Sequence, residues 1–361
     1  MTIYSRRDKT HSVAHSDVLY EVTLLRPLRN RLLAPRAASA HDTTDIGEIY
    51  RIDGLLLRGL IEQARAKGGV GPHVLMSFFA STTGFLGQQI ALEEHLPHIA
   101  CVRGSDLARD FRNPYAFSAM QYVAQNADLV VTTNADHHSQ LSSLVRKGSV
   151  VTIYNSVDLD LPVWKPRQEG TIRLVSDVGF SLKKGTHIML SAVTALVEEG
   201  CDVHLTVFGR TDPRENAYWA AARSERLISS PDAFTFYDVL EEDQIADHLL
   251  RADIYCSASL GEGCSNSTSR ALAIGIPIVA TDTGALRELA VSAAHVRLCS
   301  PGIEADFYRQ LRVAVIRDMV YLSPTDQNWL GSLRARLSPE TERDAWRQAL
   351  KQAMDRSGRG G

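Results

Sequence analysis

The chain of 361 residues has few cysteines: Cys101, Cys201, Cys256, Cys264 and Cys299. The number is odd and no two form a C-x-x-C pair, so no disulfide framework is legible in the spacing. Several fall in β-branched runs, which points to reduced, buried thiols and a cytoplasmic compartment. Long apolar stretches are also lacking. Nothing approaches the span of roughly 20 apolar residues that a bilayer-crossing helix needs. The start of the chain is polar, with no signal-peptide core. Membrane contact is therefore expected to be peripheral at most. Excess charge is missing as well: 39 Lys and Arg stand against 42 Asp and Glu, a formal net charge of -3. That balance gives no electrostatic footprint for nucleic acid. Low-complexity sequence is confined to the tail at 357–361, expected to be disordered.

What is present is ordinary for a globular protein, with 44% hydrophobic and 22% charged residues. The length suits two α/β domains. From residue 172 onward one rhythm repeats: a short β-branched run, a polar or glycine-bearing loop, then a helical pattern. Strands are predicted at 172–176, 203–208, 234–236, 254–257 and 276–280, and a helix at 186–199 with Ile188, Ala192, Ala195 and Leu196 on one face. The first half shows the rhythm more loosely, with strands at 73–79, 98–102, 128–133 and 150–153 and helices at 88–94 and 115–125. Alternation of this kind implies parallel sheets with helices on both faces and ligands at the carboxyl ends of the strands. Residues 1–155 are read as a first domain, 156–335 as a second, and 336–361 as a packing helix and tail. The start departs from the pattern. Residues 1–17 are polar and the first predicted strand is 18–25, so the first domain is expected either to lack its leading unit or to start upstream of Met1.

The most informative stretch is ADIYCSASLGEGCSNSTSRALAIGIPIVATDTGALRE at 252–288. A strand runs into a loop rich in Gly and Ser. A helix then begins near Ser267 and is stopped by Gly275 and Pro277. A helix start of this kind offers unpaired N–H groups and a positive dipole end, which suit a diphosphate. Gly261 and Gly263 allow close backbone approach, while Ser265, Asn266 and Ser267 are candidate caps. Glu262 is the lone acid of the loop and is expected to face the sugar end of a bound donor. A capped helix with a solvated Glu262 is the plainer alternative.

These residues, Ser259, Glu262, Gly263, Ala271, Ala273, Gly275, Pro277, Val279, Ala280, Thr281, Asp282, Gly284 and Glu288, resemble the donor site of family 4 retaining glycosyltransferases (glycosyl transferases group 1) with the GT-B fold. Lys183-Lys184-Gly185, Phe208-Gly209, IYNSVD from Ile153 to Asp158, RGSD from Arg103 to Asp106, and the run from Ala127-Asp128 to Thr133-Asn134 resemble further family segments in the expected order. The resemblance implies two Rossmann-like domains facing a crevice, with a C-terminal helix crossing back to the first. It implies a hexosyltransferase, using a nucleotide-sugar as co-substrate and a glycan or lipid-linked acceptor, in bacterial surface polysaccharide or related glycan synthesis. It also implies Glu262, Lys184 and Asp106 as catalytic residues, and Gly263, Cys264, Ser265, Asn266, Gly209, Arg270 and Arg103 at the donor. Neither metal nor cofactor is implied, since lysine and the helix N-terminus would stabilise the departing diphosphate.

The sequence departs from the family where Arg270 replaces a second Glu that holds the ribose, because a guanidinium accepts no hydrogen bond. No Arg stands near Gly179, and Arg103 replaces a common His. Arg270 and the atypical start keep a non-catalytic GT-B partner or regulator open as an alternative, and a sugar-nucleotide epimerase stays open because it shares the GT-B architecture. Asp158-Leu159-Asp160 matches a metal-binding D-x-D but lies in a linker. Glu93, Glu94, His95 and His98 crowd together, but Pro97 breaks the helical spacing, so a solvated helix end is expected. The run RPLRNRLLAPR, from Arg26 to Arg36, reads either as a solvated loop or as a peripheral contact with an anionic inner membrane face.

Overall fold

The computed structural model describes residues 2–5, 9–12, 22–24, 54–55, 57–59, 61–62, 65–66, 74–104, 107, 113–146, 148–157, 160–166, 170–291, 293–316 and 324–357. Strands β1 (Thr2–Ser5), β2 (Lys9–Ser12) and β3 (Val22–Leu24) form a small sheet in the order β2-β1-β3. The first two lie where the sequence predicts no strand, which corrects that reading. Runs as short as Thr2-Ile3-Tyr4 carry too little periodicity to signal a strand, and here the pairing partner decides.

Two parallel sheets carry the rest. The first holds β4 (Leu75–Phe78), β5 (His98–Cys101), β6 (Leu129–Thr132) and β7 (Ser149–Thr152) in that order. The second holds β8 (Ile172–Ser176), β9 (Val203–Val207), β10 (Phe234–Phe236), β11 (Ile254–Ser257), β12 (Ile278–Thr281) and β13 (Val296–Cys299) in the order β10-β9-β8-β11-β12-β13. Every residue of β5, β6, β11 and β12 is buried, as expected of strands covered on both faces. The order reverses about β8, which creates a switch point between β8 and β11 where a crevice opens at the strands' carboxyl ends.

The first half contributes α1 (Phe85–Glu93), α2 (Pro114–Asn126) and α3 (Ala135–Ser142), among other helical residues. Those of the second are α4 (Thr186–Glu198), α5 (Asn216–Ser229), α6 (Glu242–Arg251), α7 (Asn266–Ile274), α8 (Leu286–Leu289), α9 (Glu304–Ile316), α10 (Pro324–Arg336) and α11 (Pro339–Ser357). Their ends follow local chemistry. Asn113 caps α2 by accepting from the N–H groups of Tyr115 and Ala116, with Pro114 at the first helical position. Gly275 closes α7 at φ 79°, a left-handed stop that disfavours other residues. The strand predicted at 276–280 begins two residues later, since Pro277 has no N–H for the ladder. α1 is preceded by a π-helical turn at Ala80–Gly84 that the sequence does not reveal.

Leu174, Leu205, Val207, Ile188 and Trp219 pack on one face of the second sheet, and Val175, Tyr255, Leu272 and Leu286 on the other. α11 crosses back: Trp346, Ala349 and Ala353 pack on Ile99, Leu129 and Val131 of the first sheet. Glu342 accepts from the N–H of Ser156 at 2.8 Å, which fastens the crossing to the linker. All five cysteines are unbridged, and all but Cys201 are buried. Among the described residues no helix is long and apolar enough to cross a membrane.

Candidate functional site

The loop between β11 and α7 is shaped from behind by the start of α4. Gly185, at φ 67°, lies so close to the carbonyl of Ala258 that a Cβ there would collide with it. Leu260 donates its N–H to the carbonyl of Lys183 at 2.9 Å. These contacts bring Lys184 to Glu262 although 78 residues separate them: Nζ to Oε1 is 2.6 Å. Ser259 donates to the same Oε1, also at 2.6 Å. The solvated-Glu alternative is therefore not what the chain adopts, since Glu262 is largely buried and held by a cation and a hydroxyl. Ser265 caps α7 by accepting from Thr268 N–H at 3.3 Å. A cation, a carboxylate and a helix N-terminus thus converge at one end of the crevice.

The opposite wall comes from the ends of β5, β6 and β7. Gly104 packs backbone to backbone on Gly263, and a Cβ on either would strike the other's main chain. Asn134 caps α3 through its Oδ1, 2.7 Å from His137 N, and gives its Nδ2 to the carbonyl of Gly263 at 3.0 Å. Asn155 accepts from Arg103 Nη1 at 2.6 Å and donates to the carbonyl of Cys264 at 3.0 Å and to Asn266 Oδ1 at 2.8 Å. Both carboxylate oxygens of Glu288 accept from Ala135 N–H, at 3.0 and 3.1 Å, at the start of α3. Burial raises the pKa of the Tyr154 phenol, and the charge of Glu288 adds to that rise. The loop at 262–266 is therefore fixed by side chains from the other half of the chain.

Further along the crevice, Arg270 Nη1 lies 3.0 Å from Glu242 of α6. Near enough to feel the Arg270 charge is Asp177, which accepts from the Tyr255 hydroxyl at 2.8 Å. Burial raises the Asp177 carboxyl above its ordinary range, while Tyr255, the Arg270 charge and Ser267 pull it back. The Tyr255 phenol is pushed well above its ordinary value, mainly by burial and then by Asp177. Carboxylates thus lie near the guanidinium that replaces an acid in the sequence.

Of the residues picked from the sequence, Glu262, Lys184, Gly263, Cys264, Ser265, Asn266 and Arg103 come together, and Arg270 lies one turn farther into α7. The Cys264 side chain is buried, its thiol pushed up chiefly by burial, with Sγ 3.7 Å from Ser269 Oγ, so that residue meets the loop through its backbone. Gly209, at φ 124°, packs on Gly179 and joins the ends of β8 and β9. Asp106, Asp158 and the run from Arg26 to Arg36 lie outside the described residues. Asn134, Asn155 and Glu288 fall within the quoted motifs but nothing in the sequence gives them a role, because each acts across the crevice.

The cluster at 93–98 divides: Glu93, Glu94 and His95 form the solvated helix end expected of them, whereas His98 does not. Glu93 pairs with Arg58, and Glu94 with Arg65 at 2.6 Å. His98 is fully buried, with Nε2 2.8 Å from Ser77 Oγ and Nδ1 2.7 Å from Gln88 Oε1, and burial pushes its pKa down to about 3. Among the described residues no three His, Cys, Asp or Glu side chains are placed to share a metal ion.

Residues 172–315 match the family described as "Glycosyl transferases group 1". Over 145 residues the chain is 28% identical to a phosphatidyl-myo-inositol mannosyltransferase of Mycobacterium leprae (strain TN). That match takes in 38% of this chain and only 37% of the relative, so the chain spans little more than a third of the relative's length. Among solved structures, sucrose-phosphate synthase from Thermosynechococcus elongatus superposes with a TM-score of 0.71 at 14% identity, over 98% of this chain and 88% of that one. Anabaena HepE, solved in complex with UDP, gives 0.67 at 16% identity, over 82% of each chain. The fold is GT-B: two parallel-sheet halves facing one crevice.

Proposed function

We propose that this chain, a group 1 glycosyltransferase over residues 172–315, moves a hexose from a nucleotide-sugar donor to a carbohydrate or lipid-linked acceptor with retention of configuration. The observation that carries the reading is the meeting of Lys184 and Glu262 at 2.6 Å beside the α7 N-terminus, on the wall that faces the first domain. In this reading the diphosphate lies between Lys184 and the first turn of α7. The Lys184–Glu262 pair then opens, leaving Glu262 for the sugar hydroxyls and the ammonium for the phosphates.

As the bond from the anomeric carbon to the diphosphate oxygen breaks, its electron pair stays on that oxygen. There Lys184 and the helix dipole stabilise the growing charge. The acceptor oxygen bonds to the same carbon from the face the diphosphate leaves, and its proton passes to a phosphate oxygen. No metal is assigned a part. In this reading the ribose, which Arg270 cannot serve as an acceptor, is served by the carboxylates near Arg270, Glu242 and Asp177. HepE is described with UDP, and a uridine donor is the first to try.

Part of the ground for a non-catalytic reading is Arg270, and the carboxylates beside it, Glu242 and Asp177, weaken that part. The test is donor hydrolysis and transfer by the wild type, Glu262→Ala and Lys184→Ala. Turnover should fall by about 100-fold or more in each, the scale of losing a charged transition-state contact. Undiminished turnover in both variants refutes the site. A donor converted to its epimer without acceptor would instead point to an epimerase.

A further inference from the structure

The donor-side residues account for one substrate, and the first-domain wall carries a residue with no part in holding it. Phe79 follows β4 with φ 74°. A bulky side chain rarely adopts that conformation, and the strain is about 1–3 kcal/mol. Burial does not compensate, because the residue is 41% exposed. The surrounding turn enforces it: Phe79 N–H donates to the Cys101 carbonyl at 3.0 Å, Gly84 N–H donates to the Phe79 carbonyl at 2.8 Å, and Thr83 Oγ1 donates to the same carbonyl at 3.2 Å. An exposed aromatic is thus held in an unfavourable backbone geometry by its neighbours.

Its place explains what the ring could meet. β4 runs beside β5 with Phe78 opposite Cys101. Three residues beyond Cys101, Gly104 packs on Gly263, next to Glu262. The Arg103 guanidinium covers the Phe78 ring at 5.0 Å, so the neighbouring aromatic face is already taken. Phe79 therefore follows the carboxyl end of β4, beside the strand whose continuation brings Gly104 to the donor loop on the opposite wall. An aromatic face is electron-rich and attracts the polarised C–H groups on the apolar face of a pyranose. The strain thus holds an exposed aromatic at the strand ends of the first-domain wall.

We propose that Phe79 is the stacking platform for the acceptor's sugar ring, so that the acceptor is a carbohydrate with an exposed apolar C–H face. The inference rests on the glycosyl-transfer reading, and its test separates the two. The probes are the methyl α-D-glucopyranoside, α-D-mannopyranoside and α-D-galactopyranoside and N-acetylglucosamine, each followed by saturation-transfer NMR with and without UDP. At least one should receive saturation at its ring C–H protons from the wild type. Phe79→Ala and Phe79→Gly should weaken that binding by about fivefold or more, and Phe79→Trp should retain it. Phe79→Gly should also melt above Phe79→Ala, since both lack the ring and glycine alone accepts the positive φ at this position without strain. Equal saturation transfer with Phe79→Gly, no transfer from the wild type to any of the four sugars, or a melting temperature for Phe79→Gly below that of Phe79→Ala each overturns the proposal. Calorimetric titration with UDP-, GDP- and ADP-sugars reads the other claim: no donor binding by the wild type sinks the transferase reading, whatever Phe79 does.

Discussion

Replacing Asn155 by alanine removes three hydrogen bonds, two of which join the two halves of the crevice. One, from Arg103 at 2.6 Å, is charge-assisted, and two are donated to Cys264 O at 3.0 Å and Asn266 Oδ1 at 2.8 Å. A charged bond contributes about 1.5–3 kcal/mol and a neutral one about 0.5–1.5 kcal/mol, so the gross loss is about 2.5–6 kcal/mol. The site is half-buried, so water takes over part of each bond, and a net loss of about 2–3 kcal/mol is expected. That loss falls on the ordered placement of the loop at 262–266. If donor binds only the ordered loop and that order is marginal, affinity drops with the competent fraction, by up to about 30- to 150-fold. Calorimetric titration of wild type and Asn155→Ala with the nucleotide-sugar measures this, and thermal melting of both separates loop loosening from global unfolding. Asn155→Asp keeps the acceptor for Arg103 but sets a carboxylate oxygen against Cys264 O and Asn266 Oδ1, so its affinity should fall at least as far. Wild-type affinity in Asn155→Ala refutes the view that first-domain side chains set the donor loop.

Gly104→Ala places a Cβ against the backbone of Gly263, which cannot yield without moving the loop. It should weaken donor binding by about tenfold or more while melting little below the wild type, as read by the same titration and melt. His98 is held neutral by burial, with a pKa of about 3 against an ordinary 6.5. The unfolded chain therefore binds more protons between those values, so stability is full above pH 6.5 and is lost as pH falls towards 3. The loss is on the order of 5 kcal/mol at the low end. His98→Gln should flatten the melting temperature across the acid range below neutrality, and an unchanged slope removes His98 as the cause.

Much of the second half is legible in the sequence because its elements repeat a strong pattern. The strands at 172–176, 234–236 and 254–257 and the stop at Gly275 follow from β-branched runs and a left-handed glycine, all local signals. Glu262 and Lys184 are readable as separate motif members. Their 2.6 Å contact is not, because only the close approach of Gly185 to Ala258 brings the two loops together. Asn155 reads as linker, since its partners Arg103, Cys264 and Asn266 are up to 111 residues away. His98 reads as a solvated polar residue because Ser77 and Gln88, which satisfy its ring, come from neighbouring elements of the fold. Phe79 reads as a strand residue, and no pattern of residue types signals a positive φ on a phenylalanine.

The central claim is that Lys184 and the N-terminus of α7 hold the diphosphate of a sugar nucleotide. The most direct test is calorimetric titration of wild type and Lys184→Ala with UDP-, GDP- and ADP-sugars at constant ionic strength. The account predicts that one of the three binds the wild type and binds Lys184→Ala at least about tenfold more weakly, the loss of a charge-assisted phosphate contact. Equal affinity of the two proteins for that donor, or no binding of any donor by the wild type, contradicts it.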